Sequence, residues 1–294
     1  MKYRTAVGGV VSLALAGATL LAQAGQWQTL LYPDPEPGVW RTWCLDLNES
    51  GDLVGYYRQG LGPAPDRAFL MADGQYYSLH PAGATNSSAW GINARGDIVG
   101  DYWIGSTEHG FLLRGGELIT IDLEGRAMAH LRDINARGDI AGNYMTTSTS
   151  PLQGFVLEND GSVWDVVFEE AVSTRVSGIN DHGDVAGNYT DTAGVDHGFI
   201  RSHDGEFTTL DYPLAVTTVV QRINSNGVVA GYYWDDGTPS RSHGFVWRHG
   251  EFEQTDFPGA ADTMIHGFNN QGETCGMMRF GTPPGPYGGF AHLW

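Results

Sequence analysis

Ile179-Asn180-Asp181-His182-Gly183-Asp184-Val185-Ala186-Gly187 is one of six copies of the motif I-N-x-x-G-x-(I/V)-(A/V)-G in this chain of 294 residues, the first copy carrying Leu47 and Leu53 and the last Phe268, Thr274 and Cys275 at its variable apolar positions. The motif asparagines are Asn48, Asn93, Asn135, Asn180, Asn224 and Asn269, so successive copies stand 45, 42, 45, 44 and 45 residues apart. A period in the low forties, with strand and turn composition, matches one four-stranded propeller blade of about 40 to 50 residues. Around the quoted copy, four short runs rich in β-branched and aromatic residues alternate with Asn, Asp and Gly turns: 174–180, 184–189, 197–201 and 206–213. That pattern predicts consecutive antiparallel strands, and no helical period competes with it. The fixed Asn and Gly three residues apart supply a side chain that caps a tight turn and a residue that tolerates positive φ. The motif reads as scaffold, because a calcium loop needs more carboxylates in alternating register.

The chain ends predict how the ring closes. Fourth strands follow Gly74, Gly116, Gly161, Gly205 and Gly250, so a sixth would begin just beyond Trp294, where the sequence stops. Its counterpart stands at the other end: the stretch Gly25 to Pro33 matches the stretch Gly205 to Pro213 in glycine, aromatic and proline spacing. The expected fold is therefore all-β, a single six-bladed propeller over residues 25–294, with the N-terminal strand completing the last blade and removing open sheet edges.

Residues 1–24 carry Lys2 and Arg4, an apolar stretch from Ala6 to Leu21 and a small-residue site at Ala22-Gln23-Ala24. They read as a secretory signal peptide, too short and Gly-interrupted for a membrane span. Its removal leaves 14 arginines, no lysine and 34 carboxylates, a net charge of −20. Such a balance argues against nucleic acid and anionic membranes as partners. It suits a secreted or periplasmic protein kept soluble by its charge. Export also permits a disulfide between the two cysteines, Cys44 and Cys275, which stand in the first and last repeats. Elsewhere in the repeat these positions hold Val, Ala, Leu or Ile, so the competing expectation is two buried thiols.

His109-Gly110-Phe111, His197-Gly198-Phe199 and His243-Gly244-Phe245, each preceded by the asparagine motif, resemble the bacterial extracellular repeats called the HAF family. Blades 1, 3 and 6 depart from the pattern with Arg67-Ala68-Phe69, Gln153-Gly154-Phe155 and Gly288-Gly289-Phe290. The resemblance covers essentially the whole mature chain and implies bacterial export and a β-repeat fold, without assigning a reaction.

Positions that repeat identically serve the fold, whereas positions that vary at one structural place are where a site can be built. Three residues before each motif asparagine stand Leu45, Trp90, Arg132, Ser177, Gln221 and His266; five before it stand Trp43, Ser88, His130, Arg175, Val219 and Met264. On the innermost strands, Arg41, Trp43, Trp90, His130, Arg132, Arg175 and His266 are expected near the channel mouth. The repeated Tyr57, Tyr102, Tyr144, Tyr189 and Tyr233 either join them or pack within the blades. A basic, aromatic hollow in an acidic protein suits carboxylated or sugar-like ligands, because arginine forks bind carboxylates and flat rings stack on sugar faces. The alternative is that these side chains serve backbone groups and each other.

The first functional expectation is therefore an exported propeller that binds an extracellular carbohydrate or small acidic molecule at the mouth. The second is a polysaccharide lyase or hydrolase there, with Arg132 and Arg175 neutralising a carboxylate while His130 or His266 moves protons. The third is a surface protein that self-associates. No cofactor and no metal centre are expected: the histidines before Gly-Phe are too dispersed for zinc. The acidic loop residues Asp191, Asp196, Asp235 and Asp236 offer at most weak calcium sites.

Overall fold

Each repeat folds into a twisted antiparallel sheet whose first strand lies at the centre of a ring and whose fourth lies outside. The computed structural model describes residues 15–16, 26–30, 40–59, 64–147, 149–237, 240–281 and 287–293. The six inner strands are Trp40–Leu47, Asn86–Ile92, Ala127–Ile134, Ser173–Ile179, Thr217–Ile223 and Asp262–Phe268. Each contacts the next, and the sixth contacts the first. The molecule is a six-bladed β-propeller, and no helix of the described residues is long and apolar enough to cross a membrane.

Blade 6 shows the expected closure. Gln26–Leu30 pairs antiparallel with Tyr287–Leu293, giving a four-stranded sheet that contains both ends of the propeller. The remaining residues of the expected closing segment, Gly25 and 31–33, lie outside the described residues. So does the expected signal peptide, apart from Leu15–Ala16, which pairs with Tyr76 and Tyr77 on the outer strand of blade 1.

Packing occurs between blades, and six buried apolar clusters occupy the six seams. The phenylalanines at Phe69, Phe111, Phe155, Phe199, Phe245 and Phe290 are all fully buried. This explains why Phe persists in blades whose preceding His has been replaced. Histidines 109, 197 and 243 are fold residues: their Nδ1 atoms bond Asp122, Asp211 and Asp256, and their rings stack on Tyr102, Tyr189 and Tyr233.

The motif asparagine serves two partners at once. Within its own turn, Asn180 Oδ1 accepts from the backbone N–H groups of His182 and Asp184. Its Nδ2 donates to the carbonyl of Asn224 in the next blade. Equivalent bonds run from Asn48 to Asn93, Asn93 to Asn135, Asn135 to Asn180, Asn224 to Asn269 and Asn269 to Asn48. Gly183, three residues on, adopts φ +90°, which favours glycine.

The disulfide is not formed. Cys44 and Cys275 are buried free thiols in the cluster at the seam of blades 1 and 6. Each fills the space of a small apolar residue, and Cys44 Sγ donates to the Asp46 carbonyl at 3.7 Å.

Candidate functional site

A β-bulge recurs at one place in all six inner strands. Cys44 pairs with Gly55 and Asp46 with Val54, leaving Leu45 as the extra residue. The same shift leaves Trp90, Arg132, Ser177, Gln221 and His266 unpaired in the other blades. A bulge re-aims a side chain. All six extra residues line one cavity of about 410 Å³ at the mouth that bears the interblade loops.

The floor of that cavity is Arg222, two residues before a motif asparagine. This level of the ring holds Asp46, Gly91, Asp133, Gly178, Arg222 and Gly267, alternating a charged residue with glycine. The glycines are required by close approach: a Cβ on Gly267 would lie 2.7 Å from Asp46 Cα, and one on Gly91 2.7 Å from Asp133 Cα. Arg222 Nε bonds Asp46 Oδ1 at 3.0 Å, while its terminal nitrogens donate to the carbonyls of Leu45, Trp90, Ser177 and Gln221. Burial pulls the Arg222 guanidinium down, but Asp46 and Asp133 hold it above its ordinary value. Burial pushes Asp46 up to about 7 against the pull of Arg222. Arg222 thus separates the mouth chamber from a small pocket of about 60 Å³ lined by the asparagine turns.

Above this floor, four of the seven expected residues meet: Trp90, Arg132, Arg175 and His266 all line the chamber. The Arg132 guanidinium carbon sits 3.9 Å from the centroid of the Trp90 ring. Neither Arg132 nor Arg175 has a salt-bridge or hydrogen-bond partner among the described residues. Burial holds Arg132 below its ordinary value, against the attraction of Asp101. His266 is neutral: burial, with Arg222 and Arg132 nearby, pushes it down to about 3. Its Nε2 is buried without a hydrogen-bond partner among the described residues, and its ring meets Tyr232 edge-on at 5.8 Å.

Three expected residues stand elsewhere. Trp43 stacks on Tyr56 at 4.7 Å beneath Arg58, and Arg41 pairs across the strand with Arg58, so neither lines the chamber. His130 turns toward blade 2, where its Nδ1 lies 2.7 Å from Glu108 Oε1 and 3.8 Å from Asp101 Oδ2. Burial pulls this ring down, yet hydrogen bonding to the two carboxylates outweighs it and pushes His130 up to about 9.

The repeated tyrosines do not join the site either. Tyr233 stacks on Tyr212 at 3.7 Å, and Tyr189 on Phe168 at 3.8 Å, each across the seam between neighbouring blades. Alternation along the strand brings their predecessors to the channel side instead: Tyr232, Asn188 and Asn143 line the chamber, with Trp234 two residues beyond Tyr232. Asn143 bonds both backbone groups of Val176, tying blade 3 to blade 4. The acidic rim caps turns: Asp191 accepts from Ala193 and Val195, and Asp235 from Gly237 and Arg241. Sequence reasoning missed Arg222, although the alternation of charge and glycine two residues before the motif was visible.

No known protein family matches the sequence, and no curated protein does. Solved structures share the fold at low identity. TolB from Acinetobacter baumannii superposes with a TM-score of 0.60 at 12% identity over 81% of this chain; the match spans 62% of that TolB's length. A gluconolactonase from Xanthomonas campestris gives 0.52 at 11% identity, covering 86% of this chain and 87% of its own. A catalytically inactive variant of virginiamycin B lyase from Staphylococcus aureus, with quinupristin, gives 0.53 at 11% over the whole of both chains.

Proposed function

We propose that this chain is an exported bacterial propeller that binds a small carboxylated ligand, of the acidic-sugar kind, in the chamber at its channel mouth. One observation carries the reading: two arginines with no hydrogen-bond or salt-bridge partner among the described residues line a single cavity with Trp90, Tyr232 and Trp234. Arg132 is half-buried, where a guanidinium without an anion is costly, and Arg175 stands exposed beside it; a ligand carboxylate would supply either with a bidentate acceptor. The aromatic rings offer flat faces to a sugar. Gln221 and Ser177 add polar contacts at the same level.

Binding is favoured over a lyase or hydrolase at this mouth by the placement of the histidines. His266 is a weak base in its buried setting, and His130 faces Glu108 rather than the chamber. The predicted leader and the HAF resemblance support export.

The test is a thermal-shift series with matched acidic and neutral oligosaccharides, followed by calorimetry. An acidic ligand at a hundred times its dissociation constant adds about 2.7 kcal/mol of stability. Equal response to acidic and neutral members, or none to either, would remove the arginines from the reading.

A further inference from the structure

At the seam of blades 2 and 3, behind Trp90, three potential metal ligands converge from three strands. Asp101 is on Ile98–Ile104, Glu108 on Thr107–Arg114 and His130 on Ala127–Ile134. One ligand atom from each lies within 4.8 Å of the others. They are well shielded: the side chains of Asp101 and Glu108 are 1% and 4% exposed, and that of His130 is 19%.

The cluster lacks donors. Trp90 Nε1 donates to Asp101 Oδ2 at 2.5 Å, and His130 Nδ1 reaches Glu108 Oε1 at 2.7 Å. Asp101 Oδ1 and Glu108 Oε2 are buried with no hydrogen-bond partner among the described residues. One imidazole proton cannot satisfy two buried carboxylates, and uncompensated oxygens of this kind are rare in native interiors. Arg132 contributes charge from the channel side but makes no contact with either carboxylate within ion-pair distance among the described residues.

We propose that Asp101, Glu108 and His130 form a binding site for a divalent transition-metal ion. An imidazole nitrogen and two carboxylate oxygens suit Zn²⁺ or Mn²⁺, with ligand distances of about 2.0 to 2.2 Å; Ca²⁺ and Mg²⁺ prefer all-oxygen sets. Ligand atoms within 4.8 Å need only a small contraction to share such an ion. On binding, the ion takes the place of the His130 Nδ1 proton, which leaves to solvent. The site pins the blade 2 to blade 3 seam, and through the Trp90 bond to Asp101 it fixes the ring against which Arg132 lies. The metal proposal does not rest on ligand binding in the chamber, and its test is separate.

The experiment is calorimetric titration of the full chain, stripped with EDTA, with Zn²⁺, Mn²⁺ and Ca²⁺ at pH 7.5. The expected result is one saturable Zn²⁺ equivalent, with Ca²⁺ at least about 100-fold weaker. The variant Glu108→Gln, checked for native circular dichroism, should weaken Zn²⁺ by about 100-fold, and His130→Gln similarly. Three other histidines stand beside aspartates on the blade rims, so the triple variant His109→Gln, His197→Gln, His243→Gln is the control; it should keep wild-type affinity. That control leaves the proposed ligands intact, so it decides the matter even if the site variants fail to fold. Absence of saturable Zn²⁺ binding in the wild type, or its loss in the rim variant, would overturn the proposal.

Discussion

Asn269 Nδ2 donates to the backbone carbonyl of Asn48 at 3.0 Å, across 221 residues of sequence. It is the closing member of six such bonds, so the ring is fastened by side chains at the turns as well as by the strand pairing of blade 6. A repeated residue that caps its own turn and also grips the next blade is under two constraints, which explains its presence in all six copies.

Asn224 offers the cleanest test of that grip. It is the copy with no acidic residue four positions later, so replacement by Asp keeps the caps to Asn226 and Val228 but sets a carboxylate oxygen, in place of the donor, against the Asn269 carbonyl. Asn224→Asp should cost about 1 to 3 kcal/mol in urea unfolding, the cost of an unmade buried hydrogen bond. Asn224→Ala should cost more, because the caps go too.

Arg222 is the sole cation bonded at the channel floor among the described residues, facing Asp46 and Asp133. Arg222→Leu leaves those carboxyls buried and four carbonyls without their donor. A loss of about 3 to 5 kcal/mol is expected on chemical denaturation. Adding Asp46→Asn should recover part of it; a double variant no more stable than the single would show that the charge pair is not the source.

In the chamber, Arg132→Ala and Arg175→Ala should each weaken an acidic ligand by about 1.5 to 3 kcal/mol, the range of a hydrogen bond to a charged group. The melting temperature should hardly change for Arg175→Ala, whose side chain has no hydrogen-bond or ion-pair partner among the described residues to lose. Arg132→Ala should cost slightly more, since it also loses its contact with Trp90. Unfolding of both variants with unchanged affinity would make the arginines structural ties.

His266 gives an acid-side pH dependence. Its folded value is about 3, against an ordinary 6.5, so the unfolded chain takes the proton first as pH falls. Its contribution is fully present above pH 6.5 and is lost as pH falls from 6.5 towards 3. His266→Gln should flatten that limb of a stability profile by an amount on the order of a few kcal/mol. An unchanged limb would place the acid sensitivity in the carboxyl groups instead.

Both thiols should resist a thiol reagent in the native protein and react as two equivalents after unfolding in denaturant, because Cys44 and Cys275 are each 0% exposed. Burial holds the Cys275 thiol well above its ordinary value, which keeps it protonated and inert.

The period of the motif determined the blade count and the strand order within each blade, and the match between the two chain ends determined how the ring closes. These are regularities of spacing, and hydrogen-bonded sheets translate spacing directly into topology. The six residues three before the asparagine were legible as candidates because they vary where their neighbours do not. Side-chain direction was not legible. The bulge at Leu45, Trp90, Arg132, Ser177, Gln221 and His266 breaks the simple two-residue alternation, sending those six into the chamber while Trp43 and His130 turn to partners on adjoining strands. Only tertiary packing decided that Arg222 plugs the channel, that Cys44 and Cys275 stay reduced, and that His130 meets Asp101 and Glu108 across a seam. Each depends on where neighbouring blades place their backbones to within about an ångström, and a repeat pattern carries no information at that scale.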